Sequence, residues 1–249
     1  YNGCTDENAL NFDVEALCDN GSCVFGDELV TGLEAENSNL EDELSVFETV
    51  EEEQDYSMSF DGVDDYVDCG TSIMELNNKP ITWMSWVKSN SLSTNDVIIS
   101  EWDQGLNTEW AFGRFHENDF INDFYFTIRD NQDNYNQHVS NNINHTSNTW
   151  THLTVIWQND SIKFYKNGQF INSSYHNLEI KQTNNRLIIG AVNNGQMHNW
   201  DGELDEIMIW DVLLTQEEIQ SYMACPPTGN EEGLVAYWNF NEGSGDTVY

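Results

Sequence analysis

Gly202-Glu-Leu-Asp-Glu-Ile-Met-Ile-Trp-Asp-Val-Leu-Leu-Thr-Gln-Glu-Glu-Ile-Gln-Ser-Tyr222 reads as one strand that turns a tight corner into a short helix. Strict alternation puts Glu203, Asp205, Ile207 and Ile209 on one face and Leu204, Glu206, Met208 and Trp210 on the other. Both faces are largely apolar, so the strand is central in its sheet and covered on both sides. Thr215 with Glu218 three positions on forms a capping box, and Leu214 and Ile219 can close a hydrophobic staple around it. The helix therefore begins at Thr215 or Gln216. Pro226-Pro227 offers no backbone donors, so the helix ends by about Met223.

Working outward, nearly everything else is short strands between turn residues. Tyr56, Met58 and Phe60 alternate before an Asp61-Gly62 turn, and further strands are expected at residues 81–88, 97–102, 110–115, 123–129, 149–158, 161–165, 169–172 and 186–190. Asn167-Gly168 between two alternating runs predicts a type I′ hairpin. Short strands at regular spacing mean a β-sandwich.

Residues 202–223, the stretch Ser59-Phe-Asp-Gly-Val-Asp-Asp-Tyr-Val67 and the closing Gly233-Leu-Val-Ala-Tyr-Trp-Asn-Phe-Asn-Glu-Gly-Ser-Gly245 resemble laminin-G-like, concanavalin A-like domains of secreted bacterial surface proteins. The Ile-Trp-Asp corner also resembles the pentraxins. The resemblance implies an all-β fold, a two-sheet antiparallel jelly-roll sandwich over residues 55–226 with one short helix. It further implies a module of a long extracellular chain, often calcium-bearing and often carbohydrate-binding. Residues 227–249 are expected to be a linker followed, from Gly233, by a segment that repeats the way such modules begin, and that segment opens a next repeat or supplies a closing strand to this one.

Ahead of the sandwich, residues 1–26 form a Cys-rich acidic segment that resembles thrombospondin type 3 repeats. Asp6, Asn8, Asp13 and Asp19 there are candidate oxygen ligands for calcium. Residues 27–54 hold no Pro and no Gly after Gly32, with Val30, Leu33, Asn37, Leu40, Leu44 and Phe47 spaced as a heptad seam. Glu34, Glu36, Glu41, Glu43 and Glu48 flank that seam with no lysine to answer them, which disfavours parallel self-pairing. A helix packing on its own domain or on a neighbouring module is expected instead.

The chain carries a net charge of −36, with 8 Lys and Arg against 44 Asp and Glu. Nucleic acid and anionic membrane are thus poor partners. No run reaches the roughly 18 apolar residues of a membrane span, and the first residues lack the pattern of an export signal, as expected of a mature piece of an exported protein. The 5 cysteines show no CxxC signature, and an oxidising, extracellular compartment is expected. First and last elements neighbour one another in sandwiches of this family, which implies a Cys69–Cys225 bridge. Cys4 is expected to pair with Cys23 or with Cys18, leaving one thiol over.

Calcium is the expected cofactor. Asp61, Asp64 and Asp65 crowd one loop, and the fold is expected to bring Asp205 and Glu206 to its edge. The loop Asp130-Asn-Gln-Asp133-Asn134 reads as a plain polar turn. Trp102, Trp110, Tyr135 and Trp200 lie in or beside loops rich in Asn, Asp and Gln, as expected of side chains that stack on sugar rings, whereas Trp83, Trp86, Trp157 and Trp210 read as packing. The histidines show no zinc spacing and read as surface residues.

Glu203 and Asp205 share the arrangement of laminarinase-like retaining glycosidases. The second Glu those enzymes carry four or five positions after the first is here Ile207 or Met208, so no catalysis is expected. The expected function is a non-catalytic adhesion or carbohydrate-binding module of a large repetitive surface protein, with glycans or neighbouring modules as partners. A structural spacer is the second reading, and a glycoside hydrolase the third.

Overall fold

The computed structural model describes residues 55–249 apart from 72–78, 93–94, 103–109, 115–122, 142, 159, 182–183, 193–194, 196, 246 and 249, together with residues 2, 3, 5, 7, 9, 10, 12, 18, 19 and 23. The chain divides into two units, Tyr1–Asp55 and Tyr56–Tyr249. In the first, β1 (Asn2–Gly3) and β2 (Cys18–Asp19) pair in parallel. The helix expected over 27–54, the pairing of Cys4 and, Asp19 apart, the candidate ligands of the first segment lie outside the described residues.

The second unit is a two-sheet antiparallel sandwich. Its strands are β3 (Met58–Asp61), β4 (Val67–Thr71), β5 (Ile81–Ser89), β6 (Asp96–Glu101), β7 (Trp110–Arg114), β8 (Tyr125–Arg129), β9 (Tyr135–Val139), β10 (Thr151–Gln158), β11 (Ser161–Lys166), β12 (Gln169–Tyr175), β13 (Arg186–Ile189), β14 (Asp201–Trp210) and β15 (Leu234–Trp238). One sheet runs β12-β11-β10-β5-β14-β15, with β3 also on β14, and the other runs β4-β13-β6-β7-β8-β9. Thus residues 234–238 supply a strand to this sandwich. β9 was missed by the strand pattern, because Tyr135-Asn-Gln-His-Val has polar residues where alternation should place apolar ones.

The expected alternation along β14 breaks at Glu206. Asp205 pairs with Trp86 and Met208 with Met84, so Glu206 and Ile207 together stand opposite Ser85 alone. This is a β-bulge. Glu206 takes φ +50, a strained value for a residue with a side chain, and its N–H donates to Asp205 Oδ1 at 2.8 Å. After the bulge the faces are exchanged. Leu204, Ile207 and Ile209 all enter the core between the sheets, while Met208 and Trp210 join Met84, Ile156, Leu214 and Ile219 on the outer side.

That outer cluster seats α1 (Gln216–Ala224), whose Thr215–Glu218 capping box is present in both directions. Tyr222 packs on Trp210 with ring centroids 4.4 Å apart. Asn167 and Gly168 take φ +48 and +69, as the hairpin between β11 and β12 requires.

A buried ion pair of the six-stranded sheet reaches the other sheet through a hydrogen bond to Ser89. Arg114 on β7 donates to Asp96 on β6 through Nε (3.0 Å) and a terminal nitrogen (2.6 Å), and to Ser89 Oγ on β5 at 2.9 Å. Both charged side chains are wholly buried, and the guanidinium lies 6.0 Å from the Trp200 ring. Gly113 lets β7 approach closely enough, since a Cβ there would fall 2.5 Å from the Asp96 carbonyl oxygen.

Cys69 is a free thiol and Cys225 is disulfide-bonded, so the expected Cys69–Cys225 bridge does not form. Cys69 sits on β4, at the edge of the six-stranded sheet, and packs against the inter-sheet core. Cys225 follows α1 on the outside of the other sheet, so the two belong to different layers. Burial, with Asp68 adjacent, pushes the Cys69 thiol up to about 12.

The histidines also depart from the surface reading. His138, His145, His152 and His176 are buried. Aromatic rings line them, as with Trp86 at 5.3 Å from His152, Phe124 at 5.4 Å from His145 and Trp157 at 5.8 Å from His176. Burial depresses His152 to about 3. Burial, reinforced by neighbouring positive charge, depresses His138 and His145 to about 4.

Two outcomes follow. Asp96→Asn removes the carboxylate that accepts two hydrogen bonds from the buried Arg114 guanidinium and should destabilise the protein by about 3–5 kcal/mol in chemical denaturation, whereas the double change Asp96→Leu with Arg114→Met should recover most of that loss. The three depressed histidines bind protons more readily when unfolded, so their contribution is complete above about pH 6.5 and is lost as pH falls toward 4. Melting temperature should therefore decline from about pH 6.5 to 4.5, before most carboxylates titrate, and His152→Phe should flatten the slope.

Candidate functional site

The β3–β4 loop gathers carboxylates. Asp61 ends β3, Val63 N–H donates to Asp61 Oδ1 at 2.8 Å, and Asp61 N–H donates to Asp65 Oδ2 at 2.9 Å. Carboxylate oxygens of Asp61, Asp64 and Asp65 lie within 4.8 Å of one another, and all three residues are exposed. Asp61 and Asp65 thus each give one oxygen to a backbone N–H. Three carboxylates at this spacing are the donor type that a hard cation takes.

The loop leans on the segment that precedes β14. The Asn199 side-chain amide donates to the Val63 carbonyl, and the Tyr66 ring fills the space above Gly195. In the same segment the His198 ring lies 6.4 Å from Trp102. Trp102 is half-buried and packs on Val97, Ala111, Tyr125 and Val192. The segment that precedes β14 thus meets the loop at Tyr66 and Val63 and carries the His198 ring beside Trp102. Tyr66 was overlooked in the sequence because it follows the aspartates in what reads as a resuming strand.

Several expected residues do not join this site. Across β3 and β14 the residue opposite Asp61 is Asp201. Asp205 is four positions further, about 13 Å along the strand at some 3.3 Å per residue. Glu206 is buried at the bulge and accepts from Tyr237 Oη at 2.6 Å. Trp110 and Trp200 are both 0% exposed and cannot stack on a soluble ligand. Trp110 packs in the core with Trp83, ring centroids 4.9 Å apart, and Trp200 packs beside Arg114. Loop composition reveals that a polar segment is near, but not which way an indole turns.

Tyr135 is exposed, with the Arg129 guanidinium 5.6 Å from its ring. It lies on β9, five strands from β4, or about 24 Å at interstrand spacing, so it does not converge with the loop. Asp130 to Asn134 form the β8–β9 hairpin turn. There Asp130 Oδ1 accepts from the backbone of Gln132 and Asn134, each at 2.9 Å, and Asp133 pairs with Lys181 at 2.8 Å.

A second polar-aromatic strip escaped the sequence. On the outer face of the seven-stranded sheet, Trp86 and Trp150 are only partly buried, and Lys88 Nζ lies 5.8 Å from the Trp150 centroid. Lys88 also pairs with Glu203 at 2.7 Å, and Ser57 Oγ donates to the other carboxylate oxygen at 3.0 Å. The Lys88 hydrogen bond holds the Glu203 carboxyl below its ordinary range. That is the opposite of the raised carboxyl that a glycosidic acid needs.

A two-layer antiparallel jelly roll with one capped helix and an acidic loop at its rim is a lectin-like architecture. Residues 61–220 match the laminin-G-type model of the concanavalin A-like lectin/glucanases superfamily, and the chain belongs to that family. No curated protein sequence matches the chain. Among solved structures, it is similar to a candidate carbohydrate binding protein from Bacteroides ovatus, with TM-score 0.55 and 13% identity over 76% of this chain and 54% of that one. It is also similar to a heptameric SAP-like pentraxin from Limulus polyphemus, with TM-score 0.53 and 15% identity over 74% of this chain and 89% of that one. The receptor binding domain of botulinum neurotoxin mosaic serotype C/D gives TM-score 0.50 and 16% identity, over 67% of this chain and 43% of that one. At these identities the likeness is one of fold, and the chain spans only about half of the Bacteroides protein. Among the described residues no helix is long and apolar enough to cross a membrane.

Proposed function

We propose that the chain is a non-catalytic, extracellular carbohydrate-binding or adhesion module, stabilised by calcium at Asp61, Asp64 and Asp65. The observation that carries this reading is the cluster of those three carboxylates, with Tyr66 beside it on Gly195 and Trp102 beside His198 of the same segment. It combines oxygen ligands for a hard cation with aromatic faces for sugar rings, on a fold whose family includes lectins. Glycans are the proposed partners, and disulfides at Cys18, Cys23 and Cys225 support an oxidising, extracellular setting. A non-catalytic role is supported by Glu203, whose carboxylate is held ionised by Lys88 and Ser57.

Calcium should raise the melting temperature over that in EDTA at constant high salt, by about 2.7 kcal/mol of stability at a hundredfold excess over the dissociation constant. Asp61→Asn with Asp64→Asn should lose this gain, and an unchanged wild-type melt would remove the site. In calcium-containing buffer a glycan array should show binding that Tyr66→Ala or Trp102→Ala weakens at least tenfold. No binding at millimolar glycan would favour a structural spacer, and release of reducing sugar that stops on Glu203→Gln would favour an enzyme.

A further inference from the structure

We infer that the half of the outer face of the seven-stranded sheet left open by α1 is a calcium-independent platform for a neutral oligosaccharide. It is a second glycan surface, away from the acidic loop's Tyr66 and Trp102, and it rests on the carbohydrate-binding reading above.

Burial along two paired strands marks where the cover stops. On the outer side of β5, Thr82 and Met84 are buried, whereas Trp86 and Lys88 reach solvent. On β14, Met208 and Trp210 are buried, whereas Asp201, Glu203 and Asp205 reach solvent. Register joins the two series, with Met84 opposite Met208, Trp86 opposite Asp205 and Lys88 opposite Glu203. Leu214 and Ile219 of the helix and its approach cover the first half. The second half continues onto β3, where the exposed Ser59 and Asp61 stand opposite Glu203 and Asp201. On the far side it continues onto β10, where His152 stands opposite Trp86. The platform therefore spans about 13 Å along β14 from Asp201 to Asp205, and about 14 Å across the strands from β3 to β10. It is extended in both directions, as a short oligosaccharide requires.

Its groups are in place before any ligand arrives. Lys88 Nζ pairs with Glu203 at 2.7 Å, Ser57 Oγ donates to the same carboxylate at 3.0 Å, and Asn90 Nδ2 donates to Asp201 Oδ1 at 2.8 Å. An ammonium has three N–H groups and a carboxylate about four lone-pair sites, so these bonds leave capacity on both sides. The Trp150 ring lies 5.8 Å from Lys88 Nζ and keeps exposed surface, as Trp86 does. Trp86 stands edge-on to His152 at 5.3 Å. His152 is wholly buried and neither of its ring nitrogens is hydrogen-bonded among the described residues, so packing alone sets the two rings. Donors and acceptors side by side between indole rings suit sugar hydroxyls, which both donate and accept. An apolar partner would instead strip water from the Lys88–Glu203 pair without replacing it.

Charge sets the class of sugar. Lys88 is answered by Glu203, while Asp201, Asp205 and, at the edge, Asp61 add negative charge on the same face. The platform thus repels uronic or sulfated chains and admits neutral ones. The ion pair and the Asn90–Asp201 hydrogen bond hold the face by themselves, which makes it independent of calcium.

Isothermal titration calorimetry of the full 249-residue chain in EDTA, with cellotriose, laminaritriose and N-acetylchitotriose, tests this. At least one of these neutral sugars should bind. Trp86→Ala and Trp150→Ala should each weaken that binding at least tenfold with unchanged circular dichroism, whereas Tyr66→Ala and Trp102→Ala should change it less than twofold. Trigalacturonate should bind at least tenfold more weakly. Should an alanine variant not fold, the indole N–H resonances of Trp86 and Trp150 in the wild type, assigned with Trp86→Phe and Trp150→Phe, should shift on titration. Binding that leaves both resonances unmoved, or that only Tyr66→Ala and Trp102→Ala weaken, overturns the platform and leaves the carbohydrate reading in place. So does binding that requires calcium, or equal affinity for the acidic sugar. No binding of any neutral trisaccharide at millimolar concentration also overturns the platform, and a blank glycan array in addition removes the carbohydrate reading.

Discussion

The sandwich depends on the extra residue accommodated in β14. A strand covered on both faces must assign each side chain to one layer, and a single inserted residue exchanges all later assignments. Placing it at Glu206 directs Ile207 and Ile209 to the inter-sheet core and Met208 and Trp210 to the helix. The same strand thereby serves two hydrophobic clusters that a regular alternation would have mixed. The backbone strain at Glu206 is offset by the Asp205 carboxylate on its amide and the Tyr237 hydroxyl on its own carboxylate.

Scarcity of positive charge shapes much of the remaining chemistry. Among the described residues, ion pairs engage Lys79, Lys88, Arg114, Lys181 and Arg186. Many carboxylates instead turn to backbone N–H groups, as Asp61, Asp65, Asp123, Asp130, Glu218 and Glu231 do. An acidic loop that folds by accepting its own amides needs no lysine opposite. It also leaves oxygens pointing outward, which is why the same aspartates serve both as turn formers and as a candidate ligand set.

Legibility in the sequence followed the range of the interaction. The capped helix, the Asn167-Gly168 hairpin and most strands were readable because each is set by neighbours within a few positions. The bulge was not, since its signal is a register against β5, more than a hundred residues away in the chain. The loop carboxylates could be grouped from adjacency alone, whereas adding Asp205 and Glu206 required a cross-strand register that actually places Asp201 there. Trp110 and Trp200 illustrate a further limit. Polar neighbours in sequence mark a loop, but burial of an indole is decided by what the other sheet brings to it.

The pairing of β3 with β14 carries a consequence for how the molecule comes into being. Ser57 and Glu203, joined by a hydrogen bond, stand 146 positions apart. Contacts of such separation must wait for a large loop to close, and topologies dominated by them fold slowly. During synthesis β12, β11, β10 and β5 can pair with one another before β14 has emerged, whereas β3 remains without its neighbour until then.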